Sequence, residues 1–220
     1  PDPAARAEAL AAIDRHGVAL PPAALDWLGS EACAAPRPDD AVFARNAVAV
    51  IASARLSLEA AALAAERAGV SAAIVGDAVE GEAREVARVF GALSREIAAR
   101  DRPFARPVVL LSGGETTVTL KGSGRGGRNA EFALSLARDL AGLEGVSALA
   151  ADTDGVDGSE DNAGAFADGE TWARLQAFGR DPAALLANND AWSAFDALGA
   201  LFVTGPTGTN VNDFRAILIS

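Results

Sequence analysis

Four polar loops in the second half of the chain hold the residues best able to do chemistry. Residues 112–115 (SGGE) directly follow the apolar run 108–111 (VVLL). Gly113 and Gly114 allow a sharp turn and close approach of a ligand to the backbone. Glu115, at the mouth of that turn, suits a metal, a hydroxyl or an arginine; the plainer alternative is a solvated carboxylate on a tight turn. Residues 121–129 (KGSGRGGRN) carry Lys121, Arg125 and Arg128, four glycines and no acid, in a chain of net charge −11. Amides at a helix start attract an anion, and arginine adds a bidentate grip on phosphate or carboxylate. Gly124, Gly127 and Asn129 would line such a site; a flexible surface loop is the alternative. Residues 152–158 (DTDGVDG) crowd carboxylates that repel unless a cation or arginines lie among them. Asp154 and Asp157 are the candidates for holding Mg²⁺, and an acidic, solvated loop is the alternative. In 204–210 (TGPTGTN), hydroxyls and glycine amides could bind an anion or a ribose, with Thr207 and Asn210 as the candidates.

Several familiar patterns fail on inspection. Gly122, Gly124 and Gly127 satisfy G-x-G-x-x-G, but the preceding run 116–120 (TTVTL) alternates and is too polar for a strand covered on both faces. No Gly-Lys-Ser/Thr occurs, so the Walker A loop is absent. An EF-hand starting at Asp152 would place Val156, Asp157 and Ala163 at its fifth, sixth and twelfth positions, which breaks the ligand pattern. Mg²⁺ held by one or two carboxylates plus phosphate oxygens fits better. Residues 188–190 (NND) read as a helix N-cap rather than a ligand set. His16 and Cys33 lie outside the loops and read as packing residues.

The elements that must position these loops can be read from periodicity. Helices are expected at 4–15 and from Pro21-Pro22 to near Gly29, followed by a Pro- and acid-rich connector at 30–42. Apolar runs at 47–51, 72–76 and 108–111 predict buried strands, separated by helical patterns at 55–68 and 81–99. In the latter, Val86, Val89, Phe90, Leu93 and Ile97 share one face. This alternation predicts an α/β fold: a βαβ-type layer with parallel strands over about 46–111, after a short helical N-terminal segment. A second α/β portion with a mixed sheet is expected over about 107–220. Its strands are 116–120, 146–151, 201–203 and 214–219, and its helices 128–142, 169–178, 182–187 and 190–198. The corresponding division is 1–106 and 107–220. The polar loops then follow strands, where open α/β sheets bind ligands.

Composition narrows the classes. The 220 residues are 50% hydrophobic and 22% charged, enough for a sizeable core and against wholesale disorder. Thirty acids against nineteen Lys and Arg argue against nucleic-acid binding or a polybasic membrane contact. One cysteine excludes an internal disulfide, and no apolar run approaches a membrane span. No leader pattern opens the chain, and a cytoplasmic setting is expected. The chain begins at Pro1 and contains no methionine, so it is expected to be part of a longer protein.

Taken together, SGGETTVTLKGSGRGGRNAEFALSLA, DTDGVDGSEDNAGA, NND and VTGPTGTNVNDFRAILI resemble the MOFRL domain of the glycerate 2-kinase family. Some members of that family carry the name hydroxypyruvate reductase. The likeness covers roughly 107–220 and extends upstream through GDAVEGEAREVA and the opening PDP. It implies an ATP-dependent kinase that converts D-glycerate to 2-phosphoglycerate in a cleft between two α/β domains. It also implies a catalytic lysine on an N-terminal domain without counterpart in this chain, so that these residues alone would be inactive. The arginine of the family's GGRN loop corresponds to Arg128. Four positions depart from the family pattern: Ala130 for Gln, Asp152 for Gly, and Ser53-Ala54 before Arg55 for Thr-Asn. On this reading Arg128, aided by Arg125 and Lys121, offsets charge on the phosphoryl group or the glycerate carboxylate. Asp154 and Asp157 serve Mg²⁺ or the nucleophile, and Glu115 and Asn210 orient substrate or nucleotide. A homodimer is one expected assembly. The competing readings are an NAD(P)H-dependent hydroxypyruvate reductase and a non-catalytic anion-binding domain.

Overall fold

The computed structural model describes residues 4–220, which divide into two compact units, Pro1–Val50 and Ile51–Ser220. The opening PDP motif lies outside the described residues. In the first unit, α1 (Ala5–His16) ends where Gly17 takes the left-handed conformation that glycine adopts without penalty. Helix α2 (Pro22–Gly29) starts on a proline, whose missing N–H costs nothing in a first turn. Arg6 Nη1 donates to the Ser30 carbonyl at 2.9 Å and ties the two helices together. Neither helix has a fully buried residue.

The second unit is a mixed α/β fold around a six-stranded sheet of order β1-β2-β6-β3-β4-β5. Its strands are β1 (Ser71–Glu82), β2 (Val108–Thr117), β3 (Val146–Asp152), β4 (Gly164–Asp168), β5 (Leu201–Phe202) and β6 (Asp213–Ile219). Helix α4 (Ala83–Arg100) links β1 to β2, which pair in parallel; all other pairings are antiparallel. The division expected at 106/107 therefore falls inside this unit, between two strands of one sheet.

Strand alternation sorts the core. On β6, Arg215, Ile217 and Ile219 face the buried side, while Phe214, Ala216 and Leu218 face the other. Helices α4 and α5 (Arg128–Leu140) cover the first side. Helix α5 has ten buried residues, among them Phe132, Leu134, Leu136 and Leu140, and forms the centre of the core. Helix α3 (Ala54–Arg67) covers part of the opposite side through Leu58, beside Gly113. The short helices α6 (Thr171–Ala177), α7 (Pro182–Ala187) and α8 (Ala191–Leu198) pack against α5.

The sheet corrects four expectations. Residues 47–51 are not a strand: Val48, Val50 and Ile51 are 92%, 75% and 92% exposed. An apolar run becomes a strand only where a neighbour offers ladder partners, and none of the described strands pairs with these residues. The SGGE segment is not a turn but the continuation of β2, and 116–120 is not a strand of its own. Gly113 pairs with Phe214 and Gly114 with Asp213. The glycines serve close packing: a Cβ on Gly114, at φ +125°, would meet the Val79 backbone nitrogen at 2.2 Å. The run at 72–76 belongs to an edge strand, so Ile74 and Val75 remain exposed and the strand extends to Glu82. Strand β4 was hidden by its composition, GAFAD, which lacks a β-branched residue.

Helices α4 and α5 approach so closely that a Cβ on Gly91 would lie 2.5 Å from the Asp139 Cβ. Gly91→Ala is therefore expected to lower the urea midpoint. Overpacking costs about 1–3 kcal/mol, and the better helix propensity of alanine returns only about 1. A higher midpoint would refute the close crossing.

Candidate active site

The candidate site is built at one edge of the sheet, where β2 and β3 end, β6 begins and α5 starts. The Arg128 guanidinium lies among three acids there. Its Nε donates to Asp213 Oδ1 at 2.6 Å, its Nη2 to Asp152 Oδ2 at 2.5 Å, and Nη1 stands 3.6 Å from Glu115 Oε1. Asp213 is fully buried and accepts five hydrogen bonds. Arg128 Nε and Asn129 Nδ2 donate to Oδ1; the Thr116 amide, the Thr116 hydroxyl and Arg215 Nη2 donate to Oδ2. A carboxylate has about four lone-pair positions, so Asp213 is saturated. Arg215 is also fully buried, with its guanidinium carbon 4.9 Å from the centre of the Phe132 ring.

Charge and burial oppose each other at this cluster. Burial lowers the Arg128 pKa, but Asp213, Asp152 and Glu115 outweigh it, and the group ends above its ordinary value. For Arg215 burial wins and the pKa falls. Burial also raises Asp152, against the Asp154 amide and Arg128. A buried ion pair is favourable only when its remaining polar atoms find partners; Asp213 achieves this, while Arg215 Nε and Nη1 have no partner among the described residues.

The expected anion cradle at 121–127 takes a different form. The amides of Lys121 and Gly122 donate to Asn189 Oδ1, that of Ser123 to Asn188 Oδ1, and that of Arg125 to Asp190 Oδ1. The Gly124 amide donates to the Asn188 carbonyl. Gly122, Gly124 and Gly127 are required because Asn188, Asp190 and Asp157 occupy the space where side chains would go. The loop is thus a fitted internal surface, and NND is its receptor rather than a simple helix cap. Asn189 is held in turn by buried Glu131, which accepts from Asn189 Nδ2 at 2.8 Å and from Arg84 Nε at 2.8 Å. Arg125 lies over the Trp192 ring at 3.7 Å and faces Glu160. The amides of Gly126, Gly127 and Arg128 have no acceptor among the described residues. These three residues line, with Glu115 and Thr116, a cleft of about 420 Å³.

The acidic turn is likewise built inward. Asp157 is fully buried, and its oxygens accept the Asn129 amide at 2.9 Å and the Ala130 amide at 2.7 Å, capping α5. Asp154 accepts from the Val156 amide and from Asn210 Nδ2. Thr207 donates its hydroxyl to the Thr153 carbonyl and its amide to the Asp154 carbonyl, locking the 204–210 loop onto the acidic turn. Among the described residues no group of three or more His, Cys, Asp or Glu could hold a metal. Asp157 does not fit Mg²⁺, because its side chain is fully buried against the start of α5, whereas Asp154 is only partly buried. Asp154 keeps lone pairs free and fits as a single carboxylate ligand.

The structure therefore brings Arg128, Asn129 and Glu115 together and joins Asp154 to Thr207 and Asn210. Lys121 and Arg125 are not drawn into the Arg128 cluster. Sequence reading missed Asp213, Asp152, Arg215, Thr116 and Glu131 as site builders. The signal for one was present: in DFRAILI, alternation places Arg215 on the same face as Ile217 and Ile219.

The MOFRL family pattern matches residues 108–213. Residues 108–213 are a MOFRL-family domain. The chain is 48% identical to an Agrobacterium vitis protein described as a candidate hydroxypyruvate reductase, over 99% of this chain and 49% of the relative. It is 48% identical to a D-glycerate 2-kinase of Thermotoga maritima, over 73% of this chain and 38% of that enzyme. A crystal structure of glycerate kinase from Thermotoga maritima superposes with a TM-score of 0.90 at 37% identity, covering all of this chain and 51% of the other. The chain spans about half the length of the curated relatives it matches. The matched segment contains Arg128, Asp152, Asp157 and Asp213, and Arg215 lies just beyond its end. No helix of the described residues is long and apolar enough to cross a membrane.

Burial pushes the Asp157 carboxyl up to about 6, against the two amides that favour its charged form. The folded state then holds this proton more tightly than the unfolded state between the ordinary value of 3.8 and about 6. Stability is expected to be greatest on the acid side of that window and to fall as pH rises through it, with Asp152 acting in the same direction. Asp157→Asn should flatten the pH dependence of urea unfolding by on the order of 2–3 kcal/mol. Identical slopes for the two proteins would reject this account of Asp157.

Proposed function

We propose that the full-length protein phosphorylates D-glycerate at the 2-hydroxyl with ATP, and that Arg128 is the catalytic arginine of the MOFRL domain. The observation that carries this is the guanidinium fixed on two sides by Asp152 and Asp213, with Nη1 turned to the cleft bordered by the free amides of Gly126 and Gly127. Phosphoryl transfer depends on positioning and charge neutralisation rather than covalent chemistry by the protein. A rigid arginine beside unpaired amides supplies both. The kinase names of the Thermotoga and Pyrococcus relatives support the same reading.

In the step itself, the 2-hydroxyl oxygen of glycerate bonds to the γ-phosphorus and the bond to the β–γ bridging oxygen breaks. ADP leaves, and the hydroxyl proton passes to a carboxylate, for which Asp154 is the candidate. Arg128 Nη1 and the amides of Gly126 and Gly127 carry the charge of the moving group. Glu115, in contact with Nη1, must yield to an incoming anion and orients what replaces it. Mg²⁺ bound with the nucleotide would neutralise phosphate charge; were Asp154 its ligand, it would not also be the base, and the hydroxyl proton would leave to water. The catalytic lysine that the family resemblance implies would come from outside these residues, since Lys121 sits on the glycine loop.

The reductase reading has the name of the Agrobacterium relative in its favour. The glycine loop speaks against it: the positions a dinucleotide pyrophosphate would need are filled by Asn188, Asp190 and Asp157.

In the full-length protein, Arg128→Lys keeps a cation beside Asp213 but loses the fork that spans two acids. Turnover of ATP with D-glycerate should fall about 10³-fold or more, in a protein that melts at a lower temperature but remains folded under assay conditions. Wild-type kinetics in that variant would remove the assignment. NADH oxidation with hydroxypyruvate, in place of ADP release with D-glycerate, would replace the kinase by the reductase.

A further inference from the structure

A second cavity of about 420 Å³ opens on the face of the sheet opposite α5, and the kinase reading leaves it unused. Leu149, Ala151 and Phe214 form its floor, and Phe202 and Val211 its walls. These are the outward positions of β3 and β6, beyond the part of the sheet that α3 covers. Its rim is a ring of hydroxyls. Those of Thr153, Thr204 and Thr207 are bonded to nearby carbonyls. Those of Ser57 and Thr209 have no partner among the described residues and border the opening. Asp152 borders the cavity as well, and its carboxylate is the one that holds Arg128.

We propose that this cavity takes the nucleoside end of a purine nucleoside triphosphate, whose phosphates cross the edge of β3 at Asp152 to reach Arg128. The inference rests on the kinase reading and adds the location of the donor. Three features select this ligand class. The floor is apolar, and the cavity has two aromatic rings, Phe214 in the floor and Phe202 in a wall, suiting a flat heterocycle. The unpartnered hydroxyls stand at the rim, where a ribose would follow the base. The volume lies within the range of small-molecule sites, and the cavity reaches the last residues of β3 beside Asp152. A purely apolar occupant would leave the hydroxyl ring without purpose, and glycerate alone is too small and too polar for this floor.

The test uses the full-length protein. Wild-type turnover of ATP with D-glycerate decides the kinase reading independently. For the cavity, irradiation with 8-azido-ATP followed by peptide mapping should label residues within 201–214 or 149–153, and excess ATP should suppress the label. Val211→Phe, which narrows the cavity, should raise KM for ATP about tenfold and leave KM for D-glycerate unchanged. Thr209→Ala should raise KM for ATP about fivefold. Labelling confined to other segments would overturn the proposal even in an active enzyme. So would a folded Val211→Phe with unchanged KM for ATP, or one in which only KM for D-glycerate rises.

Discussion

The fully buried carboxylate of Asp213 is the interaction on which the site depends. It sits at the first position of β6, in register with Gly114 on one side and Asp152 on the other. Removing a carboxylate from water costs several kcal/mol unless partners replace the lost hydration. Here two arginines, an asparagine, a threonine hydroxyl and a backbone amide do so. Because those donors come from β2, α5 and β6, satisfying one buried charge fixes three elements relative to one another. Arg128 is thereby held rigid on a half-buried stem, with Nη1 left facing the cleft.

This changes how the positive charge of the domain should be understood. Arg128 and Arg215 are matched by Asp152, Asp213 and Glu115, so the cluster is not a cationic patch awaiting an anion. Its value is orientation: one N–H edge and a few amides aimed at a point in a cleft, rather than a diffuse attraction. Preorganised donors of this kind act without rearranging at the moment of reaction. Asp152 sharpens the point. It adds a second carboxylate to the arginine's environment.

Much of the fold was legible because periodicity reports burial. The apolar faces of α4 and α5, the core strand 108–111 and the alternation of β6 all follow from it. The failures have physical causes. Residues 47–51 look like a strand because composition carries no information about pairing partners. The SGGE segment looks like a turn because glycine signals two needs alike, positive φ and close backbone contact, and only the neighbouring Val79 shows which applies. The glycine loop was legible as a site element, but its receptor, NND, lies some sixty residues away in sequence. Asp213 and Arg215 were illegible for the same reason: a buried ion pair is defined by partners from three distant segments. Four motifs were each read as ligand-facing, and most of their polar groups proved to hold one another. That leaves a smaller set, Arg128 with the amides of Gly126 and Gly127, to face a ligand.

The most direct measurement is a crystal structure of the full-length protein with D-glycerate and a non-hydrolysable ATP analogue. The account requires a phosphate or carboxylate oxygen of a ligand within hydrogen-bond distance of Arg128 Nη1, with the contacts to Asp152 and Asp213 retained. Ligands bound elsewhere, with Nη1 still facing only Glu115, would contradict it.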